Sequence, residues 1–221
     1  MANPSGTEKT KLNRLSYKGS DSREDLYSIL DSNLVAHVGI VFDGAPLVLP
    51  MAYGRVGDKL YLHGSSGSRL MRALQQQPQV CVSITELRAL KVARSNFNSG
   101  MHYRSVVVFG AAELVADSDK NAALDAVSNA LIPGRVSEVR SSTKKELAAT
   151  VILAVSLDET SVKISVNETD DPEEDMNKGY WAGTVPIITS IGEIIPADEE
   201  SAALPIPKSV REFSLGLAKG L

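Results

Sequence analysis

Residues 61–78 read YLHGSSGSRLMRALQQQP, and the fold turns on what this stretch holds. It begins as apolar alternation, breaks at Gly64 and Gly67 among serines, and resumes as a helix-like pattern carrying Arg69 and Arg72. A strand that stops at glycine and restarts as a helix leaves several backbone N–H groups pointing one way, where the helix dipole also favours negative charge. An anion, above all a phosphate, fits there. Two familiar nucleotide folds open with such a turn. A dinucleotide fold needs G-x-G-x-x-G and a later acid for the ribose; Glu86 stands at roughly that spacing, but the glycines read G-x-x-G and no second strand-helix-strand unit follows. A P-loop needs G-K-[ST], which is missing. On the residues alone, a solvated helix start bearing two arginines remains the competing reading of the turn.

Working outward, the chain is organised by hairpins. Upstream, SDSREDLYSILDS (20–32) offers Ser20, Asp21 and Ser22 as caps and sets Leu26, Ile29 and Leu30 on one side of a short helix. LVAHVGIVF, PLVLPMAYG and KLYLH follow, separated by DGA and VGD, which predicts three antiparallel strands. The first is apolar on both faces, as in a barrel wall covered by a helix or a second subunit. Downstream, QVCVSIT (79–85) is a strand, ELRALKVARSNFNSGMH (86–102) reads as irregular, and YRSVVVFGAAELV (103–115) is the most strand-like run. DSDKNAALDAVSNALIPG predicts a helix with Leu124, Val127 and Leu131 on its packed face, stopping at Pro133-Gly134. TVILAVSLDETSVKISV gives two strands about a tight DET turn, with Lys163 and Ser165 facing out. Beyond Asn167 the chain becomes acidic and loop-like, then proline-containing. Six or seven hairpin-linked strands with few helices make a mainly β fold, a small antiparallel barrel. The barrel domain spans 1–166, with 1–13 expected to be flexible, and 167–221 is an extension that wraps the barrel or a partner subunit.

Composition narrows the functional classes. The chain has 221 residues, 43% of them hydrophobic and 23% charged, with a formal net charge of −4. That balance lacks the basic excess of a nucleic-acid or anionic-membrane binder, and no run approaches the roughly 18 apolar residues of a membrane span. The N-terminal segment has no apolar leader pattern, so the expected location is the cytoplasm. The single cysteine, Cys81, excludes an internal disulfide and sits at a packing position. The three histidines, His37, His63 and His102, form no metal-ligand pattern.

The succession PLVLPMAYG, KLYLHGSSGSRLMRAL, QPQVCVSIT and MHYRSVVVFGAAEL resembles the FMN-binding split barrels related to pyridoxamine 5′-phosphate oxidase, in particular their nitroimidazole-resistance branch. GYWAG (179–183) is similar to that branch as well. The resemblance spans about residues 14–166 and rests on motif order more than on any single motif. It implies a split, Greek-key β-barrel, a homodimer, and FMN in the cleft between subunits. Pro50, Met51 and Ala52 would then pass along the flavin ring, with His63, Ser65, Ser66 and Arg69 at its phosphate end. Arg104 and Ser105 match the family's polar pair on the long strand, and Trp181 would close the site from the partner chain. Each has a plainer alternative: His63 as a strand-end residue, Arg104 in a structural salt bridge, Trp181 as packing.

The resemblance implies an FMN-dependent oxidoreductase acting on a small molecule, with His63 as the candidate for proton delivery. A flavin- or haem-storage protein without catalysis is the alternative. Pyridoxamine 5′-phosphate oxidation itself fits less well. Where that enzyme has R-Q-V-R this chain has RSVV, so Val107 replaces the second arginine.

Overall fold

The computed structural model describes residues 3–167 and 171–216. The acidic stretch expected to form a loop at 167–179 therefore lies partly outside the described residues, as do the last five residues of the extension.

Ser22 caps the first helix, α1 (Arg23–Ser32), by accepting from the Asp25 amide, and Leu26, Ile29 and Leu30 are buried as the spacing predicts. β2 (Val35–Phe42) and β3 (Ala45–Val56) then form a hairpin, preceded in the chain by a two-residue strand β1 (Gly19–Ser20) that lies at the sheet edge. Asp43 and Gly44 both have positive φ, 50° and 75°, the pairing that a two-residue turn matched to strand twist requires. β4 (Lys59–Ser65) pairs with β3, and α2 (Arg69–Gln76) follows the glycine-serine turn. β5 (Gln79–Val92) and β6 (Gly100–Leu114) form the long central hairpin. α3 (Lys120–Leu131) and α4 (Lys144–Ala149) lead to the β7 (Thr150–Ser156) and β8 (Thr160–Ser165) hairpin. The C-terminal segment adds β9 (Gly183–Pro186), α5 (Glu199–Ala203) and α6 (Lys208–Ser214).

All ladders are antiparallel. The sheet order β1-β8-β6-β7-β4-β3-β2-β5-β9 closes through the β5–β6 pairing, so β2, β3, β4, β7, β6 and β5 form a six-stranded barrel. β6 is where the barrel splits: residues 103–108 pair with β8 and residues 112–114 with β7. The interior holds Ala36, Val38 and Ile40 of β2, Leu60 and Leu62 of β4, Val82 and Ile84 of β5, and Val106 and Val108 of β6. α2 adds Leu70, Met71 and Leu74 to the same core. β4 is paired with β3 and β7 and never with β5, so the strand-helix-strand stretch around residues 61–85 is not a parallel βαβ unit.

Several expectations change. Residues 86–102, read as irregular, are mostly strand: β5 runs on to Val92 and β6 starts at Gly100. A register break between Leu87 and Ala89 disguises the period-2 pattern, because the extra residue Arg88 reverses the faces. On α3 the buried residues are Ala123 and Val127, whereas Leu124 is only half-buried. Small residues win because the helix meets β3 at Gly54. Ser165 is buried, not outward, and accepts from Lys18 Nζ at 3.0 Å. Val35 and Val41 of β2 stay 48% and 60% exposed, so the described residues leave the outer face of that strand open. Of the segment expected to be flexible, the Ser5 amide donates to the Thr160 carbonyl at 2.6 Å and Thr7 Oγ1 to Glu159 at 2.7 Å. Among the described residues no helix is long and apolar enough to cross a membrane.

Candidate functional site

β4 delivers the glycine-serine turn to the start of α2. Three amides of the turn are already used: Ser66 N–H donates to the Ala149 carbonyl at 2.9 Å, Gly67 N–H to Ser65 Oγ at 3.2 Å, and Ser68 N–H to the Ser65 carbonyl at 2.8 Å. The open donors are therefore one step further on. Ser68 occupies the N-cap without a side-chain cap bond, and no acidic residue stands in the first turn, so the first-turn amides from Arg69 to Met71 are left for an anion. Arg69 is exposed beside them, its guanidinium 5.5 Å from the centre of the Phe42 ring. Ser65 and Ser66 are exposed as well. Gly64 is what lets α2 approach: a Cβ there would stand 2.9 Å from Met71 Cγ, and Met71 is fully buried.

His63 precedes this turn on the face of β4 opposite Leu60 and Leu62. It is half-buried, and its Nδ1 is a buried polar atom with no hydrogen-bond partner. Burial pushes its pKa below the usual histidine value, which keeps the ring neutral around neutral pH. Among the described residues no group pairs with this nitrogen, and a buried polar atom of this kind fits a ligand's polar edge. On β3 the three residues expected along a flavin ring divide by alternation. Pro50, exposed opposite His37, and Ala52, opposite Val35, face outward; Met51 packs toward the core and offers only its backbone.

Arg104 lies elsewhere, in a groove of about 1370 Å³ between the β5–β6 arm and the body of the barrel. Its Nε and Nη2 both donate to Glu86 Oε2, at 2.8 and 2.6 Å, and its Nη1 to Ser28 Oγ at 3.1 Å. Glu86, spaced like a ribose-binding acid, is thus committed to arginines, for its other oxygen pairs with Arg88 Nη2 at 2.8 Å. The groove is further walled by His37, Tyr53, Arg55 and Asn129, and Ile187 and Ile188 of the C-terminal segment reach it. The Ile187 amide fastens that segment by donating to the Arg88 carbonyl at 2.8 Å. Ser105 sits half-buried opposite Thr85 and Lys163. Trp181 is 68% exposed and lies against Gly183, where a Cβ would come within 2.8 Å of the ring, away from the groove lining.

The structure therefore brings His63, Ser65, Ser66 and Arg69 together, with the outward face of Pro50 and Ala52 on the neighbouring strand, and sets Arg104 apart in the groove. Sequence reasoning missed His37, Arg88 and the α3 wall. The one available signal for His37 was its place between Ala36 and Val38, a polar residue in an otherwise apolar strand.

A family model described as pyridoxamine 5′-phosphate oxidase matches residues 22–164. Among solved structures, the FAD and heme binding protein from Mycobacterium smegmatis is 46% identical, with 88% of this chain and 96% of that one covered at a TM-score of 0.85. The flavocytochrome Anf3 from Azotobacter vinelandii is 32% identical over 95% of this chain and 98% of its own, at a TM-score of 0.88. A putative 5-nitroimidazole antibiotic resistance protein from Bacteroides thetaiotaomicron, 22% identical over 66% of this chain and 86% of its own at a TM-score of 0.57, shares the fold. A comparison with curated protein sequences finds no match.

Proposed function

The chain belongs to the pyridoxamine 5′-phosphate oxidase family, and from that premise we propose that it is a redox protein binding a flavin and a haem. The observation that carries the flavin is the pairing of an uncapped α2 N-terminus beside exposed Arg69 with the unpartnered nitrogen of His63. The first holds a phosphate, the second meets a polar edge of a ring lying on the Pro50 and Ala52 face. The haem rests on the two near-full-length relatives whose names include it.

We take the flavin to be FAD rather than FMN. The resemblance implied FMN, and the chain has no glycine-rich βαβ unit to hold an adenosine. Neither point excludes FAD, because a relative of 46% identity, named for FAD, has this same barrel. The phosphate grip at α2 serves either flavin. When bound, the flavin supplies two-electron and one-electron exchange and the haem one-electron or oxygen chemistry. The chain's own contribution is to hold the phosphate at α2, to present a neutral imidazole at His63 for hydrogen bonding or proton transfer, and to seat the ring on apolar strand surface. Val107, in place of a second arginine, argues against pyridoxamine phosphate as the substrate; another small molecule is the expected reductant or oxidant.

The reading includes a homodimer. Val41 and Val48 expose 60% and 59% of their surface on one outer sheet face, and a second copy apposed there covers them and walls the flavin. Such an isologous interface should bury well above about 1,200 Å².

The test is chemical. Denaturing the purified protein and separating the released chromophores should yield FAD together with haem. Release of FMN alone would overturn the FAD assignment, and a sample that takes up neither group on reconstitution would overturn the function.

A further inference from the structure

Resting on that reading, we infer that the haem sits in the groove between the β5–β6 arm and the barrel, with His37 as the ligand to its iron and Arg88 on one of its propionates. The groove holds about 1370 Å³, above the roughly 300–1,000 Å³ of most small-molecule sites, so a flat macrocycle fits. Its walls leave apolar side chains in water: Val35, Leu87 and Ile188 are 48%, 41% and 84% exposed. A large flat apolar ligand with acidic edges suits such walls.

The charges select the acidic edge. Three arginines, Arg55, Arg88 and Arg104, face two carboxylates, Asp31 and Glu86. Arg55 spends its donors on Asp31 and the Gly57 carbonyl, and Arg104 on Glu86 and Ser28. Arg88 makes one contact, to Glu86, and its side chain is 50% exposed. Arg55 and Arg104 each use three of their five N–H donors and are only 18% and 17% exposed, so Arg88 is the one with most donors free and in reach of a carboxylate, and its position is fixed by the register break that puts it at the groove.

The imidazoles are separated by the same accounting. Haem iron takes a neutral imidazole nitrogen presented to a cavity. His102 Nε2 is engaged with the Asn167 carbonyl at 2.8 Å. His63 is outside the groove lining, and its Nδ1 is buried. His37 is exposed, lines the groove, and makes no hydrogen bond among the described residues. It is also the register partner of Pro50, which the proposed function puts under the flavin. Cross-strand partners stand about 5 Å apart, so this placement makes the two redox groups neighbours on one sheet face.

The experiment is titration of the full chain, freed of haem but carrying its flavin, with hemin, followed by absorption and electron paramagnetic resonance spectra. Wild type should bind with a histidine-ligated spectrum. His37→Ala should bind at least about tenfold more weakly and lose that spectrum, with added imidazole restoring it and flavin content unchanged; His102→Ala should keep it. Arg88→Ala should weaken binding roughly tenfold or more, the loss of one charge-assisted bond, without changing the ligation spectrum. Hemin bound normally by His37→Ala, or ligation lost in His102→Ala, overturns the groove assignment while leaving the haem reading standing. A wild-type chain that takes up no hemin overturns both. Circular dichroism confirms that each variant is folded.

Discussion

Gly54 on β3 and Val127 on α3 meet backbone to backbone: a Cβ at Gly54 would stand 2.7 Å from Val127 Cα and 3.0 Å from the Ala126 carbonyl oxygen. This contact sets where α3 lies, and α3 supplies Ala126, Asn129 and Ala130 to the groove wall. Gly54→Ala must push the helix outward, since neither backbone can rotate away. Overpacking of this kind costs about 1–3 kcal/mol, which for a chain of this size lowers Tm by roughly 2–4 °C per kcal/mol. Thermal and denaturant unfolding should show the loss. Unchanged stability would mean that α3 yields freely.

Arg69→Ala tests the phosphate grip. Removing one charged donor from a partly enclosed phosphate costs about 1.5–3 kcal/mol, or roughly 10–150-fold in affinity for FAD or FMN. Riboflavin has no phosphate and should lose less than about threefold. Parallel fluorescence titrations separate the two. Equal losses for all flavins would place the phosphate elsewhere, and no loss for any would mark Arg69 as a solvated residue.

Glu138 makes the docking of α6 depend on pH. The Ser209 hydroxyl and amide both donate to its carboxylate, the amide at 3.0 Å, and hold its pKa below the usual 4.5. A depressed carboxylate stabilises the docked state above its unfolded value, and that contribution fades as pH falls from there through the lower folded value. The protection of amides in Lys208–Ser214, taken relative to their intrinsic exchange rate at each pH, should therefore fall on acidification below about 4.5. Glu138→Gln should remove the pH dependence of that protection. Acid-independent protection in the wild type would show that Ser209 docks without the charge.

Val48→Arg tests the shared-site dimer. A charge on the exposed face carrying Val41 and Val48 leaves this chain's own core untouched but opposes apposition of a second copy. Light scattering should give twice the chain mass for wild type and the single mass for the variant, with flavin retention falling in step. A monomeric variant that keeps its flavin would confine the site to one chain.

Much of the barrel was legible because local chemistry agreed with it. Asp43-Gly44 can hardly be anything but a tight hairpin, Ser22 caps the helix that it precedes, and the glycine pattern at 64–67 ruled out a dinucleotide turn. What failed were positions decided by distant partners. Ser165 is polar, yet a lysine from residue 18 covers it; Leu124 has the right spacing, yet Gly54 brings Ala126 and Val127 into contact; Arg88 breaks an alternation that only the paired strand reveals. The site split the same way. The turn residues 63–69 were found by their motif, but the groove joins β2, β3, β5, β6, α1, α3 and the C-terminal segment, and no local pattern announces such a meeting.

The C-terminal segment bears on how the protein is loaded. It is fastened to β5 at Arg88 and to the Arg135–Glu138 turn at Glu138, and every other wall of the groove is built from residues that precede it in the chain. During synthesis the barrel closes at β7, and β8 is added, before residues 183–214 have been made, so the groove stands open on that side when the rest is complete. Under the haem proposal, insertion of the group would precede this last fastening step. Once the Ile187 amide is engaged by Arg88, departure past Ile187 and Ile188 would require that strap to peel from β5, so retention would depend on the lifetime of the tail's contacts as well as on the pocket's affinity.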